Sequence, residues 1–376
     1  MSHPTHATRA EIDLAAFRHN LDAVKSYTGP DIKVMAVVKA NAYGHGLVRL
    51  SEEAVRHGVD YLAVARFHEG MELREAGIRH PIALFELLQD DHLLPSIEYG
   101  MELTLVSVDG ARKVNQVARH AGKTARVHVK VDTGMGRLGV LHSEAAEVVE
   151  SIARLSSIEL VGVYSHFATS EESDQSFAKL QLSRFQDLLL ELDRRKVEIP
   201  LRHMANSGAI ISLPDAHLDM VRPGIMLYGY PPGKGMPERY PVQPVMSLKS
   251  RVASIKTVGA KTSISYGRRY FTRVETVIAT IPIGYADGYA RILTNKSRAL
   301  IRRRAYPVVG TVTMDQVMID LGPRGEVREG DEVTLIGRDG DEAITAWDIA
   351  ELAETIPYEV TCLITPRVPR VYSPAR

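Results

Sequence analysis

The sequence contains a single cysteine, Cys362, among its 376 residues. It therefore cannot form an internal disulfide, and it has no cysteine cluster that would hold a structural zinc ion. No run of about 20 consecutive apolar residues occurs, which argues against a membrane-spanning helix. The start, MSHPTHATRAEIDL, lacks the apolar segment of a signal peptide, so a cytoplasmic protein is expected.

The sequence also has no excess of positive or negative charge. Lys+Arg and Asp+Glu both number 46, so no broad basic field is present to attract nucleic acid or an anionic membrane. Arg302, Arg303 and Arg304 lie between apolar residues and are interpreted as a solvated strand face. With 45% hydrophobic and 24% charged residues, the chain can bury a large core, and its length favours two domains.

Short apolar runs alternate with amphipathic segments from Ile32 to Met226. The strand-like runs are IKVMAVVK, YLAVA, PIALFE, LTLVSV, RVHVKVD, LVGVYSHFA, LRHMA and DMVRPG. They are continuously apolar, which is typical of a parallel sheet covered on both faces. About eight such units predict an α/β fold, a (β/α)₈ TIM barrel. An open doubly wound sheet is the alternative, because periodicity does not distinguish it from a closed one.

Proline and glycine interrupt the chain between Gly229 and Pro244, in GYPPGKGMPERYPVQP, which predicts a domain boundary. Close-set β segments separated by turn residues follow this stretch. One helix candidate, AITAWDIAELAETI, lies among them. We therefore predict a barrel domain over residues 1–240 and a mostly β domain over residues 241–376.

Unusual polar residues follow several of the predicted strands, where a barrel enzyme carries its chemistry. They are Lys39 at the end of the first strand, Lys130, Asp132, Gly134 and Arg137 at the fifth, His166 at the sixth, Asn206, Ser207 and Gly208 after the seventh, and Arg222 at the eighth. Each alone has a simpler interpretation, such as a snorkelling lysine, a core histidine or a helix start. Together they favour one site.

A single chemistry accounts for this set. A lysine and a carbonyl cofactor form a Schiff base, and pyridoxal phosphate (PLP) is the commonest cofactor held this way. Asn206, Ser207, Gly224 and Ile225 are candidates to bind its phosphate through backbone N–H groups and hydroxyls. Arg222 is the candidate partner of the ring nitrogen. Because arginine stays protonated, it leaves that nitrogen without a proton, and the ring becomes a weaker electron sink.

The motifs along the chain resemble those of the alanine racemase family. The similar segments are RAEIDLAAFRHNL, AVVKANAYGHG, VKVDTGMGRLG, YSHFATS, ANSGA, RPGIMLYG, SISYGRRY, IPIGYADGY, GTVTMDQ, TIPYEVTC and RVPRVY. They cover essentially the whole chain in order. The resemblance implies a barrel plus a β domain, a PLP cofactor, and a homodimer whose active site is completed by the partner subunit.

The resemblance also implies roles for single residues. Lys39 would bind PLP and act as the base on the D side, and Tyr266 of the partner subunit would act on the L side. The remaining implied roles are Tyr43 and Tyr358 near the phosphate, Arg222 on the ring nitrogen, Arg137 on the cofactor oxygen and the substrate carboxylate, Lys130 as a carbamylated lysine that positions Arg137, Met314 on the substrate carboxylate through its amide, and Asp315 nearby.

Racemisation requires proton removal on one face of Cα and proton return on the other, so two bases must oppose each other. Tyrosine has an ordinary pKa of about 10 and is a poor base. A neighbouring cation favours its phenolate form. His166, hydrogen-bonded between Tyr266 and Arg222, is the predicted relay.

In RVHVKVD, strand alternation places His128, Lys130 and Asp132 on one face and the valines on the other. Two states of Lys130 are open. It can be neutralised by Asp132, or it can be carbamylated, which would reverse its charge and give Arg137 a bidentate partner.

Two positions depart from the family pattern. The usual Gly-Arg-Val-Cys/Ser-Met-Asp reads here as Gly310 to Asp315, with Thr311 and Thr313 at the changed positions. Thr311 replaces an arginine that helps to line the substrate entryway in relatives, so the charge of the corridor and the breadth of substrate are expected to differ. Ile356 and Arg291 still match entryway positions.

The leading hypothesis is a PLP-dependent racemase of alanine. A serine-preferring or broad-specificity racemase is an alternative, because an apolar pocket discriminates only modestly against one hydroxyl. From other classes, a PLP carrier would share Lys39 but would not need Tyr266 and Asp315. A PLP decarboxylase of similar build is expected to offer the ring nitrogen an acidic partner, and Arg222 argues against that.

Overall fold

The structure is a computed structural model, and it describes residues 7–233, 241–323 and 326–373. These residues form two compact units. The barrel unit contains residues 17–42, 47–233 and 241–243. The second unit contains residues 7–16, 43–46 and the described residues from 244 onward.

In the described part of the barrel unit, a short strand, Val140–Leu141, pairs with the fifth of eight parallel strands that form the barrel. The eight strands are Lys33–Val37, Tyr61–Val64, Ile82–Leu84, Leu103–Leu105, Ala125–Asp132, Ile158–Tyr164, Leu201–Asn206 and Met220–Arg222. The first strand pairs with both the second and the eighth. The third and fourth are joined by a parallel bridge between Ala83 and Glu102, with Leu84 N donating to Glu102 O at 2.9 Å. The sheet is thus a nearly closed barrel, which confirms the predicted fold over the open sheet.

Helices follow the strands of the barrel and bury one apolar face each. They are Leu47–Arg56, Phe67–Glu75, Asp90–Glu98, Val108–His120, Ala145–Ala153, Ser176–Arg194 and Ser207–Ser212, with Leu14–Thr28 before the first barrel strand. The helix Val108–His120 illustrates the local signals. The Ser107 hydroxyl accepts from Gly110 N at its start, and Ala111, Val114 and Ala118 are buried at helical spacing.

The second unit is mostly β-sheet, as predicted, and its strands pair mainly antiparallel. Its strands are Arg9–Asp13, Met246–Arg251, Ser254–Val258, Ser263–Ile264, Tyr270–Phe271, Thr276–Ile281, Arg298–Ile301, Arg304–Val309, Val317–Gly322, Glu332–Asp339, Glu342–Ile344 and Arg370–Ser373. The predicted helix is present as Ala346–Ala353, and a second helix, Pro357–Cys362, follows it.

The domain ranges 1–240 and 241–376 stay a prediction, with one difference at the start of the chain. Arg9–Asp13 pairs with Met246–Arg251 and with Arg370–Ser373, so these early residues lie in the sheet of the second unit. Residues 1–6 and residues 234–240 of the predicted boundary segment lie outside the described part. Among the described residues, no helix has both the length and the apolarity needed to cross a bilayer.

Candidate active site

Lys39 begins a turn of unusual backbone conformation directly after the first barrel strand. That strand ends at Val37, so Lys39 follows it by two residues instead of ending it as predicted. Ala40, Asn41, Ala42 and Tyr43 all have φ between 51° and 55°, in the left-handed region. Left-handed backbone costs non-glycine residues free energy, so this turn depends on contacts that hold it.

Glu69 supplies one of these contacts. Its carboxylate is 8% exposed, and its Oε1 accepts from Ala40 N at 2.6 Å. Its Oε2 accepts from Ala65 N at 2.9 Å and Arg66 N at 3.0 Å, after the second barrel strand. One buried carboxylate thus fixes the residue after Lys39 to the neighbouring strand end.

Arg222 ends the eighth strand and is 3% exposed. Its Nη1 lies 3.0 Å from His203 Nδ1, and its Nη2 donates to the Ser165 and Met204 carbonyls at 2.7 and 3.0 Å. The Nη2 atom also lies 3.3 Å from His166 Nδ1. Burial lowers the pKa of Arg222 to about 10, so the guanidinium remains charged at neutral pH.

Both imidazoles beside Arg222 are neutral. Burial, reinforced by the charge of Arg222, holds the pKa of His166 and of His203 well below the usual range. The neutral His203 accepts from Arg222 at Nδ1 and therefore carries its proton on Nε2, which lies 3.1 Å from His128 Nδ1. His128 in turn donates from Nε2 to Glu102 Oε2 at 2.7 Å.

Lys130 lies on the fifth strand and is 6% exposed. Its Nζ is 4.8 Å from the centre of the Tyr164 ring. Burial, together with the charges of Arg222, Arg137 and Lys39, lowers the pKa of Lys130 to about 7. A substantial fraction of this side chain is therefore a neutral amine at physiological pH, which is the nucleophilic form that carbamylation requires.

Asp132 shapes the loop that carries Arg137. Its carboxylate accepts from Gly134 N at 2.9 Å and from Gly136 N at 3.0 and 3.1 Å. Among the described residues no ion pair within 4.0 Å joins Lys130 to Asp132, and Asp132 acts on Lys130 only by opposing in part the lowering of its pKa. Arg137 itself is exposed.

The candidate phosphate residues lie at two helix starts in the barrel unit. Asn206 caps Ser207–Ser212, its Oδ1 accepting from Ala209 N and from the Ser170 hydroxyl. The Ser207 hydroxyl accepts from Gly224 N at 2.9 Å, directly before the 3₁₀ turn Ile225–Tyr228. The Gly224 amide is thus directed to Ser207, unlike the expectation, and the first-turn amides that follow are the donors suited to an anion.

The second unit contributes the two tyrosines expected near the phosphate. The rings of Tyr43 and Tyr358 lie 6.0 Å apart at an angle of 46°. Burial, followed by the proximity of Tyr358 and Cys362, raises the pKa of Tyr43 strongly. The Tyr43 phenol therefore keeps its proton and is suited to donate a hydrogen bond to an anion.

Tyr266, Met314 and Asp315 lie on loops of the second unit. Tyr266 is 73% exposed and Met314 is 52% exposed. Asp315 pairs with Arg367 at 2.7 Å, and Arg367 Nε lies 3.5 Å from Asp287. Backbone bonds from Tyr285 N to Thr313 O and from Ala286 N to Met314 O hold the loop of Met314 to the turn Tyr285–Asp287.

The structure brings together Lys130, His166 and Arg222 as the sequence predicted, but several participants carried no sequence signal. They are Glu69, Glu102, His203 and Tyr164, which come from separate segments of the chain. Glu69 bonds to Ala40, and the other three are linked through His128 and by stacking of Tyr164 on His203. The HxK spacing of His128 and Lys130 gave the one usable hint, because alternation placed His128 on the same face.

These donors fit the cofactor that the sequence predicts. The barrel unit offers the amine of Lys39, a buried guanidinium, the Ser207 hydroxyl and the first-turn amides of two helices. Arg222 donates twice from Nη2 and once from Nη1 to protein atoms, so its Nε–H and the second Nη1–H are the donors that suit a ring nitrogen. An amine, a cation and an anion cradle are the groups that pyridoxal phosphate requires.

Comparisons with known proteins agree with this geometry. The family profile "Alanine racemase, N-terminal domain" matches residues 12–232, and "Alanine racemase, C-terminal domain" matches residues 245–372. Alanine racemase 2 of Caldanaerobacter subterraneus is 45% identical over 97% of this chain and 94% of its own length.

Solved structures extend the comparison. The structure of an alanine racemase of Clostridium difficile 630 superposes with a TM-score of 0.95 at 40% identity, covering 99% of this chain and 97% of that one. A histidine racemase of Leuconostoc mesenteroides superposes with a TM-score of 0.91 at 28% identity, over 99% and 100% of the two chains. Because these matches cover both the N-terminal and the C-terminal part of the chain, the chain belongs to the alanine racemase family.

Proposed function

We propose that this protein is an alanine racemase that interconverts L-alanine and D-alanine with pyridoxal phosphate and two opposed bases, Lys39 and Tyr266 of the partner subunit. The observation that carries the proposal is the placement of Lys39. It begins a left-handed turn fixed by Glu69, in the same unit as the buried Arg222. Full-length similarity to alanine racemases supports the substrate.

Cofactor binding follows from the donors already described. When bound, pyridoxal phosphate supplies the electron sink that acidifies the substrate Cα–H. Lys39 would hold it through its amine, and Arg222 would donate to its ring nitrogen. Ser207 and the amides from Ile225 onward bind its phosphate, supported by Gly224 and by the Asn206 cap. Tyr43 and Tyr358 add phenol donors, and Arg137 binds the substrate carboxylate together with the Met314 amide.

Proton transfer then rests on residues of this chain. Lys39 exchanges a proton with Cα on the D side, and the Tyr266 phenol does so on the L side. Neutral His166 lies against Arg222 and is suited to relay the influence of that cation to the phenol. Lys130, as the amine or its carbamate, sets the charge beside Arg137, and Asp315 holds the Met314 loop through Arg367.

A homodimer with shared sites is part of the proposal. Tyr266 and Met314 are large apolar side chains that stand exposed on the second unit, as expected of residues that complete a neighbour's site. Mixing the separately inactive Lys39→Ala and Tyr266→Phe chains tests this. Hybrid dimers restore one intact site, so about a quarter of wild-type activity should return. No recovery after verified subunit exchange would place both bases on one chain.

The reaction itself is tested by chiral analysis after separate incubation with L-alanine, L-serine and L-lysine, beside Lys39→Ala. Racemisation fastest with alanine and absent from the variant is the expected result. No racemisation despite covalently bound cofactor would refute the proposal in favour of a PLP carrier or decarboxylase.

A racemase of broader specificity is the second candidate. The observation that favours it is the similarity to a histidine racemase over the whole chain, because it shows that this fold admits a larger side chain. Faster racemisation of serine or lysine than of alanine in the same assay would favour this candidate and keep the two-base mechanism.

A further inference from the structure

The turn that carries Tyr266 is strained. It connects Ser263–Ile264 to Tyr270–Phe271, which pair antiparallel. Ser265 has φ 64° and ψ −177°, a region that is nearly restricted to glycine. Gly267 and Arg268 also have positive φ, of 70° and 50°. A turn of this kind persists only when surrounding contacts hold it.

Thr311 holds this turn through two reciprocal hydrogen bonds. Its hydroxyl donates to the carbonyl oxygen of Tyr266 at 2.7 Å. The Ser265 hydroxyl donates to the carbonyl oxygen of Thr311 at 2.6 Å. Thr311 is 2% exposed, whereas Tyr266 is 73% exposed. The buried Thr311 thus bonds both to the side chain of Ser265 and to the backbone carbonyl of the exposed Tyr266.

The neighbours of Thr311 keep it close to the turn. Gly310 has φ 74°, and a Cβ there would lie 2.8 Å from Ile264 O and 2.9 Å from Ser265 Cβ. Only glycine permits this approach without a shift. Asn295 bridges the two segments, since its Oδ1 accepts from Gly310 N at 2.6 Å and its Nδ2 donates to Arg269 O at 3.1 Å.

We propose that Thr311 is a positioning residue that sets the direction of the Tyr266 phenol, and that it acts through the Tyr266 carbonyl and the Ser265 hydroxyl instead of lining the substrate corridor. This inference rests on the proposed function, in which Tyr266 is the base on the L side. The sequence led us to expect that Thr311 alters the charge of the substrate entryway, and the proposed role differs from that expectation. A buried hydroxyl directed at a backbone carbonyl presents no charge to an entering substrate.

The test uses Thr311→Val, which removes the hydroxyl at nearly constant volume, and Thr311→Ser, which keeps it. Thr361→Val is the control. Thr361 is also buried in the second unit, and its hydroxyl also donates to backbone carbonyls, those of Pro357 and Tyr358 at 3.3 Å, outside the hairpin that carries Tyr266. Ser265→Ala removes the reciprocal bond and replaces Thr311→Val if that variant fails to fold.

The first readout is independent of activity. Hydrogen–deuterium exchange of the peptide that contains residues 263–271 should be about tenfold faster in Thr311→Val than in wild type, as expected for the loss of one bond. It should be unchanged in Thr311→Ser and in Thr361→Val.

The second readout separates the two bases. Because the enantiomers have equal free energy in water, kcat/KM must fall equally in both directions, by about tenfold. The rates alone therefore do not show which of the two bases is affected. Primary isotope effects with Cα-deuterated substrates do show it. If the Tyr266 step becomes slower, the primary isotope effect should rise for L-alanine and fall for D-alanine. A general loss of folding would lower rates without this asymmetry.

Three results would overturn the proposal: unchanged exchange in Thr311→Val, isotope effects that change alike for both enantiomers, or the same pattern in Thr361→Val. If the wild-type protein does not racemise alanine, the proposed function fails, but the exchange experiment still decides whether Thr311 holds the turn.

Discussion

Glu69→Gln is the substitution that tests most directly how the fold positions Lys39. The carboxylate of Glu69 accepts three backbone N–H bonds with two oxygens. A glutamine has one oxygen, so its NH₂ must face either Ala40 N–H or the pair Ala65 and Arg66. In the less costly orientation of the glutamine side chain, its oxygen keeps the two bonds to Ala65 and Arg66. The Ala40 N–H then faces the NH₂ group of the glutamine, which is itself a donor.

The expected cost follows from these contacts. A buried N–H left without an acceptor costs about 1–3 kcal/mol, and the two retained bonds weaken when their acceptor loses its charge. We therefore expect the free energy of unfolding to fall by about 2–4 kcal/mol. Without the bond to Ala40, the turn is also less able to keep its native backbone. Each residue in the left-handed conformation costs about 1–2 kcal/mol relative to right-handed backbone.

Urea unfolding of the cofactor-free chain measures the stability change. Borohydride reduction followed by mass analysis measures the fraction of chains in which cofactor is attached to Lys39, which should also fall. Glu72→Gln is the matched control, since Glu72 lies on the same helix and is exposed. If both variants unfold within about 0.5 kcal/mol of wild type, Glu69 does not hold the turn.

Two further predictions concern buried ionisable groups of the barrel. Because the pKa of Lys130 is lowered from 10.5 to about 7, the unfolded chain binds more protons between these values. The free energy of unfolding should then rise with pH across that window by about 1.4 kcal/mol per unit, and Lys130→Met should lose this slope in parallel urea titrations. Equal slopes would contradict the assignment. Glu102→Gln breaks a buried contact with His128 and should lower stability by about 3 kcal/mol above neutral pH. Burial alone would raise the pKa of Glu102, but His128 and Arg126 lower it on balance, so the wild-type advantage should shrink as acid titrates the carboxylate. An advantage that persists in acid would show that the charge of the Glu102 carboxylate does not provide it.

The barrel was predictable because its strands are marked by composition. Tyr61–Val64, Ile82–Leu84 and Leu103–Leu105 are buried throughout, and buried parallel strands read as continuous apolar runs. The residues at strand ends were predictable for the same reason, since a polar residue directly after such a run is conspicuous. Arg222 and Asp132 do end their strands.

The left-handed turn after Lys39 was not predictable from local sequence. Ala40 and Ala42 favour right-handed helix, and only Asn41 tolerates the left-handed region easily. The conformation depends on Glu69, which lies 29 residues later in the chain. The same reasoning applies to Thr311. Its position suggested a corridor residue, whereas its hydroxyl bonds to a turn 45 residues earlier.

The distribution of charge explains why the carboxyl end of the barrel suits anionic ligands. Lys39, Arg137 and Arg222 all act to lower the pKa of Lys130, so three cationic groups lie within electrostatic reach of this amine. The nearby carboxylates of Glu69 and Asp132 are bonded to backbone amides and offset this repulsion only in part. Like charges in a region shielded from water repel strongly. A phosphate, a substrate carboxylate or a carbamate on Lys130 converts that repulsion into attraction. The same charges that weaken the protein alone therefore favour binding of the groups that the proposed reaction needs.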